Sequence, residues 1–158
     1  MKLTENSLKE FVKEFEIPNP VNITFTQRQV VRGVKIDDLV SERNFRYFKN
    51  ILNKKVHGNS QTRFGLGLGM LVVREVSHYH RHHLHTIIER PLSHSPDQFE
   101  EIVRICWGKT VFGYHQIHFS HPSGDDGWLD YIMKKKTKVD LMDSVDWMNS
   151  HLTDHCRI

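Results

Sequence analysis

Cysteine is scarce in this chain, with Cys106 and Cys156 the only two in 158 residues. They form no Cys-x-x-Cys pair, which argues against a cysteine-built zinc site, and so low a count suits a reducing compartment. A single disulfide between them stays open on the sequence alone. Long apolar runs are also missing. None approaches the roughly 20 residues that a membrane span needs, and Met1-Lys2-Leu3-Thr4-Glu5 leads into no signal-peptide core. The expectation is a soluble intracellular protein with no membrane partner, cytoplasmic, or nuclear if the host is a eukaryote. Nor does one sign of charge dominate. The formal net charge is only +3, so a nucleic-acid role has to rest on where the cations sit.

What is present suits one folded domain over residues 1–158. Hydrophobic residues make up 38% and charged residues 26%, with nine Phe and three Trp as bulky core material; that balance excludes disordered and fibrous classes. No repeat, low-complexity linker or composition break divides the chain. Leu8, Phe11, Val12 and Phe15 predict a helix over 3–16, stopped by Pro18 and Pro20. Residues 21–27 alternate as a half-buried strand, with Ile23 and Phe25 on one face. Phe45, Phe48, Ile51 and Leu52 mark a helix from Asp38 to about Val56, closed by Gly58. Two runs, 67–77 and 82–89, form a hairpin about a short link at Tyr79-His80-Arg81. Ser95-Pro96-Asp97-Gln98 carries a capping-box start for a helix that ends near Gly108 and turns Phe99, Ile102, Val103 and Cys106 inward. A strand follows over 112–119, then a helix from about Asp126 to Lys138 and a last one over 140–152 from Leu141, Val145, Met148 and Leu152. This order predicts an α+β fold with a central antiparallel sheet of about five strands flanked by helices, the fifth strand near 28–34.

His83 and His85 are two apart on a predicted strand, so both rings lie on one face and Leu84 on the other. With the hairpin turning near His80, Glu75 falls across from His85. Two imidazoles and one carboxylate suit Mn²⁺ or Mg²⁺ better than a closed zinc cage. The competing reading is a His-rich surface turn: five of the twelve histidines lie in 78–85, and His78, His80 and His82 fall toward the tip, exposed, without a ligand role.

On the helix after Asp126, Tyr131, Lys134, Lys135 and Lys138 share one face at i, i+3, i+4 and i+7, while Leu129, Ile132 and Met133 share another. Cations beside a phenol attract a phosphate backbone and favour the phenolate. Tyrosine is a competent nucleophile toward a metal-polarised phosphate. Packing tyrosines and solvated Lys runs have the same pattern, and Lys134-Lys135-Lys136 could equally be a nuclear-localisation patch. Gly108-Lys109-Thr110 resembles the end of a phosphate-binding loop, but the required earlier glycine is Val103, so an ATPase is rejected.

In combination these features resemble the HUH endonuclease superfamily, in particular the single-tyrosine rolling-circle replication initiators of small viruses, phages and plasmids. The motifs come in order: Ile23-Thr24-Phe25-Thr26-Gln27, then His83-Leu84-His85, then Tyr131-Ile132-Met133-Lys134, with Glu75 eight residues before His83. They span a core of about 21–138, with the terminal helices as accessories. The resemblance implies a ferredoxin-like or RRM-like nuclease sheet with the histidines at its centre. It implies metal held by Glu75, His83 and His85, and nicking and rejoining of single-stranded origin DNA through a covalent 5′-phosphotyrosine at Tyr131. Lys134 would position the tyrosine or bind phosphate, and Lys135, Lys138, Gln27, Arg28 and Arg63 would touch DNA. A host polymerase or helicase would be a further partner, and a monomeric nuclease is expected, either alone or as part of a longer initiator.

Three rivals stand beside this expectation, one of them a metal-dependent hydrolase without a covalent step, which would retain cleavage in Tyr131→Phe. A single-tyrosine transposase of an insertion element would share the His-hydrophobe-His motif but dimerise. A non-enzymatic single-stranded nucleic-acid-binding module would stack bases on Phe25 and Tyr114 and leave the histidines incidental.

Overall fold

A computed structural model describes residues 10, 17–59, 67–76, 81–120 and 144–152. The first strand, β1 (Pro20–Gln27), is followed by a two-stranded ribbon of β2 (Val30–Val31) and β3 (Val34–Lys35). Arg32 (φ 49°) and Gly33 (φ 76°) turn that ribbon. Two successive positive φ values make the hairpin turn whose twist matches the strands, and glycine adopts them at no steric cost. Helix α1 (Asp38–His57) begins at Asp37, whose carboxylate accepts from the Val40 N–H, and ends at Gly58, whose φ of 58° closes the last turn. Strands β4 (Met70–Val76) and β5 (His82–Glu89) form the expected hairpin. Helix α2 (Pro96–Gly108) starts with the capping box read from its sequence: Ser95 Oγ accepts from Gln98 N–H and Gln98 Oε1 accepts from Ser95 N–H. Strand β6 (Gly113–Ser120) follows.

The four long strands form one antiparallel sheet in the order β4-β5-β1-β6. Each strand–helix–strand unit, β1-α1-β4 and β5-α2-β6, is split by a strand of the other. The sheet thus has four strands among the described residues rather than about five. The segment expected to supply the fifth makes the separate β2–β3 ribbon instead, because its turn folds it back on itself.

Both helices pack on one face. Phe25, with no exposed surface, sits at the centre of a ring cluster with Phe45 and Phe48 of α1 and Trp107 of α2, centroids 5.9, 5.1 and 4.6 Å away. Val21, Ile23, Leu84, Ile88, Met70 and Val72 continue that layer across the sheet. Phe25 is therefore unavailable as a base-stacking platform.

The expected last helix is corrected over 145–152; Ser144 is helical, and 140–143 lie outside the described residues. Met70 and His151 exchange backbone hydrogen bonds, both 2.8 Å, and Asp146 N–H donates to Val72 C=O at 2.8 Å. This segment runs along the outer edge of β4, with bridges Met70–His151 and Val73–Val145. An edge strand left bare is a row of unpaired donors and acceptors, and satisfying it outweighs a weak helical spacing. The expected helices over 3–16 (apart from Glu10) and 126–138 lie outside the described residues. Among the described residues, no helix is long and apolar enough to cross a membrane.

Candidate metal centre

Alternation along β1 and β5 sorts their side chains between the two faces. Phe25 and Leu84 go to the helix side; Thr24, Thr26, His83 and His85 go to the other. Register then builds two cross-strand rows on that second face. One runs Val73–His85–Thr24–His118, the other Glu75–His83–Thr26. The two histidines thus lie on an inner strand, flanked by β4 on one side and β1 on the other.

The carboxylate was expected across from His85, but Glu75 stands across from His83. The hairpin centre is displaced by one residue, which moves the pairing by two and keeps Glu75 on the histidine face. Its side chain reaches diagonally: Glu75 Oε2 lies 2.6 Å from His85 Nε2. At the other side of the ring, His85 Nδ1 lies 3.3 Å from Thr24 Oγ1. His85 is only 7% exposed, so both ring nitrogens are engaged in a mostly dry position. His83 is half-buried. Its pKa is pushed below 6.5, first by burial, then by neighbouring His85, with Glu75 opposing. The neutral ring, with a lone pair to offer, is thereby favoured.

Glu75 and His85 form a contacting pair, with His83 directly across from Glu75. Among the described residues, no three such donors yet converge closely enough to hold an ion as they stand. The donor chemistry fits a divalent cation nonetheless: one hard oxygen and two imidazoles share a face, and opposite residues on adjacent antiparallel strands have Cβ atoms roughly 5 Å apart. Glu75, His83 and His85 are the residues that could hold it.

The remaining candidates divide sharply. Gln27 is buried at 5% exposure, and its Oε1 accepts from Ser41 Oγ at 3.1 Å. It joins the end of β1 to α1, with its side chain drawn inward rather than out toward solvent. Arg28 is exposed, held by its N–H donating to Phe112 C=O at 2.8 Å. His82, expected at an exposed tip, is half-buried, and its N–H donates to Gln29 Oε1 at 3.0 Å. Tyr114 is half-buried on β6 with its ring 4.2 Å from that of His115. Tyr131, Lys134, Lys135, Lys138, Arg63, His78 and His80 lie outside the described residues.

Thr24 was overlooked as a partner of the site. The strand alternation did put it opposite Phe25, but the β1–β5 pairing that sets it beside His85 is a long-range fact with no local signature. No protein-family model matches the chain, and no curated protein or solved structure does either.

Proposed function

We propose that this chain is a metal-dependent enzyme of the HUH type that nicks and rejoins single-stranded DNA, built on a ferredoxin-like sheet, with Tyr131 as nucleophile. The observation that carries this reading is the Glu75–His85 contact on an inner strand, with His83 opposite the same carboxylate. The split strand–helix–strand topology supports it, because that topology brings two sequence-distant motifs side by side on one face. Of the rivals, the stacking module loses its main platform to the burial of Phe25.

In the proposed step the Tyr131 phenol loses its proton and its oxygen bonds to the scissile phosphorus. The bond from phosphorus to the 3′ oxygen breaks, and that oxygen takes up a proton to leave a free 3′-OH. The DNA 5′-phosphate stays on the tyrosine. Reversal with another 3′-OH rejoins a strand, and since one phosphodiester replaces another, no ATP is needed. A bound Mn²⁺ or Mg²⁺ supplies polarisation of the phosphoryl oxygens. Lys134 steadies the phenolate or a phosphate, and Lys135 and Lys138 attract the strand. The target is expected to be a replication origin, with a single-tyrosine transposase the alternative context; a dimer in solution favours the transposase.

The test is a pool of single-stranded oligonucleotides incubated with the protein and Mn²⁺, then run on a denaturing gel. A covalent adduct is expected, lost with EDTA, in Tyr131→Phe and in His83→Ala. Binding without adduct across a diverse pool refutes the enzyme reading. Cleavage that survives Tyr131→Phe refutes the nucleophile.

A further inference from the structure

We infer that Thr24 is a positioning residue for His85, holding its ring for cation binding through a hydroxyl that works in both states of the site. The inference rests on the metal reading above and goes beyond it, since nothing in the three-motif pattern assigns Thr24 a role.

The argument begins with His85, whose two nitrogens face different partners. Nε2 meets the Glu75 carboxylate at 2.6 Å and Nδ1 meets Thr24 Oγ1 at 3.3 Å. An ionised carboxylate only accepts, so in the metal-free protein Nε2 carries a hydrogen and donates it. In the neutral ring Nδ1 then bears the lone pair, and the Thr24 hydroxyl donates to it. When a cation is bound through Nε2, that nitrogen must be unprotonated and the ring hydrogen belongs on Nδ1. Thr24 Oγ1 then accepts. A hydroxyl is the side-chain group that can turn from donor to acceptor by rotating one bond. An amide or a carboxylate here would favour one state.

The backbone fixes this contact. Thr24 and His85 are paired residues in the β1–β5 ladder, and Phe25, the next residue, is anchored in the aromatic core. A β-branched side chain has few χ1 options in a strand, which keeps Oγ1 near the ring. Outer-shell partners of ligating histidines typically change metal affinity by about 10–100-fold when removed.

The experiment compares Mn²⁺ binding by calorimetry in wild type, Thr24→Val, Thr24→Ser and Glu75→Gln, with the Nδ1 and Nε2 ¹⁵N resonances of His85 recorded metal-free. Val keeps the shape and β-branching of Thr without the hydroxyl; Ser keeps the hydroxyl. The expected result is a loss of about 10–100-fold in affinity for Thr24→Val, with Thr24→Ser retaining most of it. The metal-free Nδ1 signal should move toward that of an unbonded imine nitrogen in Thr24→Val alone. Affinity lost in Glu75→Gln but unchanged in Thr24→Val overturns this inference and leaves the metal reading standing. A wild type that binds no Mn²⁺ overturns both. Equal losses in Thr24→Val and Thr24→Ser, with an unshifted Nδ1 signal, overturn it as well, because they trace the effect to packing.

Discussion

Thr24 and Phe25 are neighbours in sequence and belong to different worlds. Phe25 turns into a dry aromatic cluster between two helices, while Thr24 turns to the other face, against a histidine whose other nitrogen meets a carboxylate. The same division holds around the site, although β4 also places the buried Leu71 and Val73 on the histidine face. On the helix side, Leu84, Ile88, Met70 and Val72 are buried hydrocarbon. On the other side, His83, His85 and Glu75 stand among Thr24, Thr26 and His118. One face supplies the stability that lets the other hold polar groups in awkward, half-dry positions. Mutations on the two faces should therefore separate into loss of fold and loss of site.

The largest effect is expected on the core face. Phe25→Ala removes a fully buried ring from contact with three others, which typically costs about 3–5 kcal/mol. Against a total of roughly 5–15 kcal/mol for a domain, most of the stability margin goes. Urea unfolding monitored by tryptophan fluorescence and circular dichroism measures it. A loss below about 1 kcal/mol would show that the cluster is not the keystone of the core.

Next comes the site face. Glu75→Gln keeps the length of the side chain and removes its charge. Mn²⁺ affinity should fall by more than the roughly 10–100-fold typical of an outer-shell loss, while stability without metal moves by about 1 kcal/mol or less. Calorimetric titration beside urea unfolding reads both quantities. Unfolding comparable to that of Phe25→Ala would erase the division between the faces.

How far this division was legible in the sequence depends on the range of each interaction. Strand alternation assigned Phe25 and Leu84 to one face and Thr24, His83 and His85 to the other, because side-chain period is a local property. Both cap motifs were readable for the same reason: Ser95 and Gln98 satisfy each other within one turn, and Gly58 takes a positive φ that other residues resist. Long-range pairing was not legible. Val145 and Met148 have helical spacing, yet that segment spends its backbone hydrogen bonds on β4. Gln27 is polar and follows a strand, so it read as a surface residue, but Ser41 of α1 receives it in the interior. At the site, the residue types were legible and the pairing of Glu75 was not, because a hairpin centre one residue away changes the partner while preserving the face.

A smaller effect checks the scaffold away from both faces. Ser95→Ala removes the acceptor for the Gln98 N–H and leaves half of the capping box, at a cost of about 1 kcal/mol. Thermal unfolding reads it. Because α2 packs on the aromatic face among the described residues, Mn²⁺ affinity should stay within about twofold of wild type. A parallel loss of affinity would mean that the helix side is coupled to the site through the sheet.

The gentlest way to sharpen the comparison is acid, which acts through groups on both sides of the division. His82, His83 and His151 each have a pKa held below 6.5, in every case first by burial. For His82 the carboxylates of Asp38 and Asp37 oppose the shift; for His83 Glu75 does; for His151 Lys49 adds to it and Glu89 opposes it. Each ring therefore takes a proton less readily folded than unfolded. As pH falls below 6.5 the unfolded chain binds protons first, so the stability these rings contribute is complete above that value and declines as pH passes down through their folded pKa values. Urea midpoints in EDTA should fall gradually between about pH 7 and pH 5. His83→Gln should flatten that slope through the site face, and His151→Gln should flatten it through the β4 edge. Because His83 lies across from Glu75, the removal of that carboxylate in Glu75→Gln should steepen the slope, since the carboxylate that opposes the His83 shift is gone. A slope unchanged in all three variants would trace the acid response to other groups and detach the histidine face from the stability of the fold.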